Sequence, residues 1–285
     1  MVIPFLSLYL TKDQGFSLSQ VGWVMSSFGL GSLAGAWLGG KLTDKIGYHP
    51  VMFWSLIISG LMFIALQFIG TFTGICIGVF FIMLFADSFR PALFVAVGAY
   101  SKPENRTRSI SLIRFAINLG FSFGPALGGL LIVTMGYSGL FWVDGVTCVA
   151  AALVFVYVLK AKDHKHVKSE ATGPDIRSPY KDKSFLIFLL VMMLVAFVFL
   201  QLFSTMPLFY SDQFGLMEDE IGWLMGFNGL FIFVLEMPLI KKLEGDQYSK
   251  FRILIWSTVL IGLSFLVLNL TSWVGILWIS MLLVT

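Results

Sequence analysis

The feature that most constrains this chain is a ladder of long, continuous apolar runs separated by short polar interruptions. Runs near 18–40, 50–70, 75–99, 109–133, 139–160, 184–207, 219–240 and 251–270 each approach the roughly 20 residues a helix needs to cross a bilayer core. Shorter apolar stretches lie at 1–11 and 273–285. Hydrophobic residues make up 58% of the chain and charged residues 12%, against about 25% charged in a soluble domain, so this apolar surface cannot be closed away from water. Because the runs are continuous, they do not fit the alternating segments of about ten residues that build a membrane barrel. The expected class is an all-α, multi-pass membrane protein.

The charges give the orientation. Of the 19 lysines and arginines, all but Lys12, Arg90 and Arg114 fall in alternate segments: Lys41 and Lys45, then Lys102, Arg106 and Arg108, then Lys160 to Lys183, then Lys241 to Arg252. Basic loops stay in the cytoplasm, whereas Asp13, Asp212, Glu218, Asp219 and Glu220 gather on the opposite side. The net charge of +3 is thus a topology signal and not a nucleic-acid footprint. Cys76 and Cys148 lie in or beside apolar runs with neither a disulfide framework nor metal-ligand spacing. Thr11-Lys12-Asp13 follows the first apolar stretch with no preceding basic region, so no signal peptide is expected.

At an offset of 200 the chain resembles itself. Val21-Gly22-Trp23-Val24-Met25 aligns with Ile221-Gly222-Trp223-Leu224-Met225, and Gly29-Leu30 with Gly229-Leu230. Upstream, Pro4 to Tyr9 is similar to Pro207-Leu208-Phe209-Tyr210. Two related halves are expected: a helical bundle over 1–160, a polar cytoplasmic linker over 161–183 with Gly173-Pro174 and Ser178-Pro179, and a second bundle over 184–285. Since a full run precedes the proline in the second half, residues 1–11 read as the outer end of a helix with about 20 residues missing. With six helices per half, the chain covers part of helix 1 to the start of helix 10 of a twelve-helix protein. Repeats of this kind characterise secondary transporters, whose substrate site lies between the halves.

Between the second and third runs stands Gly40-Lys41-Leu42-Thr43-Asp44-Lys45-Ile46-Gly47, a glycine-bounded basic turn. It resembles the signature loop G-x-L-x-D-[RK]-x-G of the major facilitator superfamily, with Tyr48-His49-Pro50 in place of the usual basic continuation. The resemblance implies a pair of pseudo-symmetric six-helix halves, with Asp44 and Lys45 in a charge network at an inner gate and Gly40 and Gly47 permitting close approach. The alternative is a tight loop whose charges only fix topology. The second-half counterpart, Pro238 to Glu244, is degenerate.

In the fifth run Gly120, Gly124 and Gly128 recur every four residues, and Pro125 and Gly129 complete G-x-x-x-G-P-x-x-G-G. Small residues at this spacing let helices pack backbone to backbone, and an internal proline removes a donor and can kink the helix. The pattern resembles the superfamily's antiporter motif, which implies exchange of substrate for protons. Packing alone is the other reading, and the one that fits Gly31, Gly35 and Gly39.

Asp87 lies near the middle of the fourth run, with Arg90 three residues on and so on the same face. An ionisable residue at that depth is costly and marks an ion or substrate path by default. Desolvation disfavours a charged carboxylate and a neighbouring cation favours it, so such a pair can be poised to load and release a proton. A permanent ion pair holding the helix in place is the alternative. The superfamily's fourth-helix arginine motif supports Arg90, although Pro91-Ala92 departs from its continuation. Arg114, Asn118, Gln201, Thr205 and Asn228 are candidates for the substrate cavity, among abundant phenylalanine and methionine suited to an adaptable pocket.

These features point to a proton-coupled exporter of small amphipathic compounds, monomeric and sited in the cell (inner or plasma) membrane, with substrate, protons and lipid as partners and no nucleic acid. An uptake symporter or facilitator for a sugar or organic acid, and a receptor that binds without translocating, remain open. No phosphate-binding glycine loop or metal cluster is present, and His164 and His166 fall in the linker, so neither catalysis nor a cofactor beyond the proton gradient is expected.

Overall fold

The computed structural model describes residues 1–159, 182–243, 249–270 and 273–284. Regular structure among them is helical: α1 (Val2–Leu8), which runs into a π-turn over Tyr9–Asp13, α2 (Leu18–Ile46), α3 (Tyr48–Leu66), α4 (Phe72–Tyr100), α5 (Arg106–Val158), α6 (Lys183–Ser204), α7 (Met206–Phe214), α8 (Glu218–Leu243), α9 (Lys250–Val267) and α10 (Gly275–Val284). Most of the expected linker, including His164 and His166, lies outside the described residues.

Five helices among the described residues, α2 to α6, are long and apolar enough to cross a membrane, so the chain is a multi-pass membrane protein. The 53 residues of α5 would measure about 80 Å if straight, more than twice a bilayer core. Gly136, at φ 72 and ψ −179, breaks it into two arms, which are the runs expected at 109–133 and 139–160. The intervening turn has shrunk to one glycine, because only glycine takes that backbone conformation without a Cβ clash. The runs expected at 219–240 and 251–270 form α8 and α9, yet neither joins the five. Glu218, Asp219 and Glu220 fill the first turn of α8, where the helix dipole favours negative charge, and α9 is short.

Local chemistry sets the helix ends. Ser17 and Gln20 form a reciprocal capping box at the start of α2, and the Thr71 side chain accepts from the Gly74 N–H at the start of α4. The run expected at 184–207 breaks at Thr205, and α7 restarts with Pro207 in its first turn, a position where the missing N–H has no helical partner to lose.

The two aligned segments fold alike. Gly15 and Gly215 both take a left-handed backbone, at φ 67 and φ 66. Each closes the preceding turn with a bond between residues six apart, Phe16 N–H to the Leu10 carbonyl at 2.9 Å and Leu216 N–H to the Tyr210 carbonyl at 3.3 Å. Val24 and Leu224 are buried, while Trp23 and Trp223 are 66% and 59% exposed, as side chains facing lipid would be.

The chain gathers into two compact units. The first holds Leu6–Arg114 and the arm of α5 from Thr134 onward; its α3–α4 core is Tyr48, Val51, Met52, Ala92 and Ala96. The second holds α6 to α10, Ile3–Phe5 of α1, and Phe115–Val133 of α5, a segment expected in the first bundle.

Candidate functional site

In the first unit the site is built on the contact between α2 and α4. A Cβ placed on Gly31, Gly35 or Gly39 would come within 3.0, 2.9 and 2.6 Å of the α-carbons of Phe80, Leu84 and Ser88. No larger residue fits there, so the two backbones lie directly against each other, and Ser88 Oγ–H reaches the Gly35 carbonyl at 3.1 Å. This contact carries Ser32 to Asp87. Asp87 is 8% exposed; its Oδ1 pairs with Arg90 Nε at 3.2 Å, and its Oδ2 accepts the Ser32 hydroxyl. The expected Asp87–Arg90 pair is therefore present, with the arginine side chain 75% exposed. Ser32 has no distinguishing sequence signal beyond its place inside a glycine stripe.

The Gly40–Gly47 motif differs from the turn expected of it. Gly40 to Ile46 continues α2, and only Gly47, at φ 89, leaves the helix. Thr43 Oγ1 donates to the Gly39 carbonyl at 2.6 Å, and the Lys41 ammonium stands 3.8 Å from the Trp37 ring centroid. Asp44 and Lys45 are exposed on the last turn, and no ion pair involves them among the described residues. The departure at Tyr48-His49 has its own role. Tyr48 is buried edge-on to Tyr100, with centroids 5.9 Å apart, and His49 Nε2 lies 2.8 Å from the Leu159 carbonyl, with its ring against Phe155.

In the second unit the antiporter-like segment packs on α8, but through a different face from the one its glycine spacing suggests. A Cβ on Gly120 or Gly124 would meet nothing within 4 Å. The close face is Ser122, Pro125, Ala126 and Gly129. A Cβ on Gly222 would lie 2.5 Å from the Pro125 carbonyl oxygen, one on Gly226 3.0 Å from Ala126 Cβ, and one on Gly229 2.6 Å from Ser122 Cα. Ser122 Oγ–H donates to the Gly226 carbonyl at 3.0 Å. Pro125, Gly128 and Gly129 are buried. The cause is simple: spacing of four defines a stripe, but the partner's own small residues decide which stripe is used, and here those are Gly222, Gly226 and Gly229.

Beside this contact lies a cavity of about 110 Å³, walled by Phe121, Phe199, Leu202, Phe203, Met225 and Ile232, with Asn118, Asn228 and Gly229 completing it; the Asn228 side-chain N–H reaches the Met281 carbonyl at 3.5 Å. The Phe121 and Phe199 rings stand 5.7 and 5.8 Å from Phe203. Of the five expected cavity residues the structure brings together Asn118 and Asn228. Gln201 is half-buried on α6, Thr205 is exposed at the α6–α7 break, and Arg114 is exposed on α5, none of them at the cavity. Nothing in the sequence distinguishes the three wall phenylalanines from the other 26.

The whole chain, residues 1–285, matches the sequence pattern described as Major Facilitator Superfamily. It is 25% identical over its full length to the uncharacterized MFS-type transporter YqjV of Bacillus subtilis, of which it covers 70%. Over 99% of its length it is 21% identical to the Na(+), Li(+), K(+)/H(+) antiporter of Planococcus maritimus, covering 73% of that protein. Over 90% it is 21% identical to the quinolone resistance protein NorA of Staphylococcus aureus, covering 66%. With its apolar helices, glycine-packed contacts and full-length match, the chain belongs to the Major Facilitator Superfamily and is a membrane transporter of the secondary type.

Proposed function

We propose that the protein is a proton-coupled exporter of small amphipathic compounds in the cell membrane, working as a monomer, with no enzymatic activity. The observation that carries the reading is Asp87, a buried carboxylate in the membrane-spanning α4, tied to an exposed arginine and to a neighbouring helix. A carboxylate so placed can take a proton on one side of the membrane and yield it on the other, while substrate moves the opposite way as the transporter alternates between its two openings. The antiporter-like segment of α5 supports exchange, and a quinolone-resistance relative supports an organic substrate.

One relative carries the name of a monovalent cation/proton antiporter, which favours alkali-cation exchange as a second reading. The cavity argues for the organic substrate, because its walls are mostly phenyl rings and aliphatic chains, whereas an alkali cation needs a shell of oxygens to replace its water.

The test is transport by the protein in proteoliposomes, with norfloxacin and sodium as alternative probes. An imposed pH gradient drives norfloxacin accumulation, and Asp87→Asn removes that dependence on the gradient. Uptake indifferent to pH, or full coupling in Asp87→Asn, overturns proton exchange at this residue. Sodium movement without norfloxacin movement shifts the reading to cation exchange.

A further inference from the structure

Resting on the reading of Asp87 as the proton site, we infer that Ser32 is its positioning residue: the hydroxyl that α2 presents to Asp87 sets how readily the carboxylate takes up a proton. Hydroxyls on helices in this protein commonly bond the carbonyl four residues back. Ser26 does so to Gly22 at 2.9 Å, Ser59 to Ser55 at 2.6 Å, and Ser88 to Leu84 at 2.6 Å. Ser32 instead directs its proton across to Asp87 Oδ2.

Both partners of Asp87 are therefore donors, since an arginine has no acceptor and the Ser32 hydroxyl gives its hydrogen. That arrangement suits the ionised carboxylate. A proton arriving on Oδ2 would face the Ser32 hydrogen, and the hydroxyl must turn away; the carbonyl of Phe28, one turn back on α2, is the acceptor its neighbours' habit provides. The Ser32 oxygen then accepts from the protonated carboxyl, so proton uptake reverses the side-chain bond between Asp87 and α2, whose far end carries the Gly40–Gly47 motif. Because Gly31 and Gly35 hold the helix backbones in contact on either side, the hydroxyl cannot follow the carboxylate by sliding.

The charged groups around the pair are few. Among the described residues, Arg90 lies on the same helix as Asp87; the charges of α2, Lys41, Asp44 and Lys45, are gathered at its end; α3 brings His49, engaged with the Leu159 carbonyl, and Tyr48, edge-on to Tyr100; and α5, whose Arg106 guanidinium lies beside Gly98 of α4, carries Arg106, Arg108 and Arg114 near its start. A change in the pH response on altering Ser32 is thus attributable to the hydroxyl.

Infrared difference spectroscopy of the protein in lipid vesicles, titrated between about pH 5 and about pH 9, reads the protonated carboxyl directly; the band absent from Asp87→Asn belongs to Asp87. Removing a donor from the ionised form makes the proton bind more tightly. In Ser32→Ala the midpoint of that band moves up by about one pH unit, a roughly tenfold gain in proton affinity, while Ser32→Thr, which keeps the hydroxyl, stays at the wild-type midpoint. An unmoved midpoint in Ser32→Ala, or an equal shift in Ser32→Thr, overturns the role of Ser32 and leaves Asp87 as the proton site. If no titrating band is lost in Asp87→Asn, the proton-site reading falls, and the role of Ser32 with it.

Discussion

Helices α2 and α8 are two copies of one sequence element, and they differ in the small-residue face they use. Both start after a left-handed glycine, both carry the Gly-Trp pair, and both turn the tryptophan outward. In α8 the stripe Gly222, Gly226, Gly229 seats the helix on α5. The aligned positions of α2 are Gly22, Ser26 and Gly29, and a Cβ on either glycine meets open space. Helix α2 packs through a second stripe, Gly31, Gly35 and Gly39, which α8 replaces with Phe231, Leu235 and Leu239. A shared sequence thus fixes how the helix enters, and the position of small residues along it fixes which neighbour it meets. In lipid this choice matters more than in water, because helices gain little from burying apolar surface and associate through close packing and hydrogen bonds.

The comparison can be broken by filling one stripe at a time. Gly35→Leu sets a branched side chain against the α4 backbone, which cannot yield as a flexible side chain would; a loss of about 3 kcal/mol or more, or no folded protein at all, is expected in thermal unfolding followed by tryptophan fluorescence. Gly222→Ala meets the Pro125 carbonyl and should cost about 1–3 kcal/mol, whereas its repeat partner Gly22→Ala should be neutral or stabilising by up to about 1 kcal/mol through helix propensity. Equal effects at the two positions would show that the stripes are not distinguished as described. Ser122→Ala removes the bond to the Gly226 carbonyl, with an expected cost of about 0.6 kcal/mol. Gly124→Ala, on the open face of α5, should leave unfolding unchanged within about 0.5 kcal/mol; a marked loss there would return the α5–α8 contact to the glycine spacing.

Much of the helical layout was legible in advance, because crossing a bilayer demands long apolar runs and the runs are not subtle. Gly15 and Gly215 stand at the same offset as the Gly-Trp pair, so the repeat was legible in turn chemistry as well as in helix sequence. The pair Asp87 and Arg90 followed from spacing alone, since residues three apart share a helix face. Ser32 did not follow, because its partner lies 55 positions away and one serine in an apolar helix resembles another. Nor did the packing face of α5: Gly120 and Gly124 announce a stripe, yet Ser122, Pro125, Ala126 and Gly129 carry the contact. Glycine and charge clustered over Gly40 to Gly47 suggest a turn, yet one positive-φ glycine suffices to end the helix, and the rest stays helical.

By itself the sequence determined that this protein lives in a bilayer, that one helix is used twice, and where a carboxylate is held at cost. Each of these depends on composition or on spacing within one helix. Only the tertiary structure decided which small residues touch, that Asn118 and Asn228 share one cavity while Gln201 and Thr205 stand apart, and that a serine of α2 answers the carboxylate of α4. Those facts belong to pairs of helices, and the identity of a partner is written in the shape of both surfaces together.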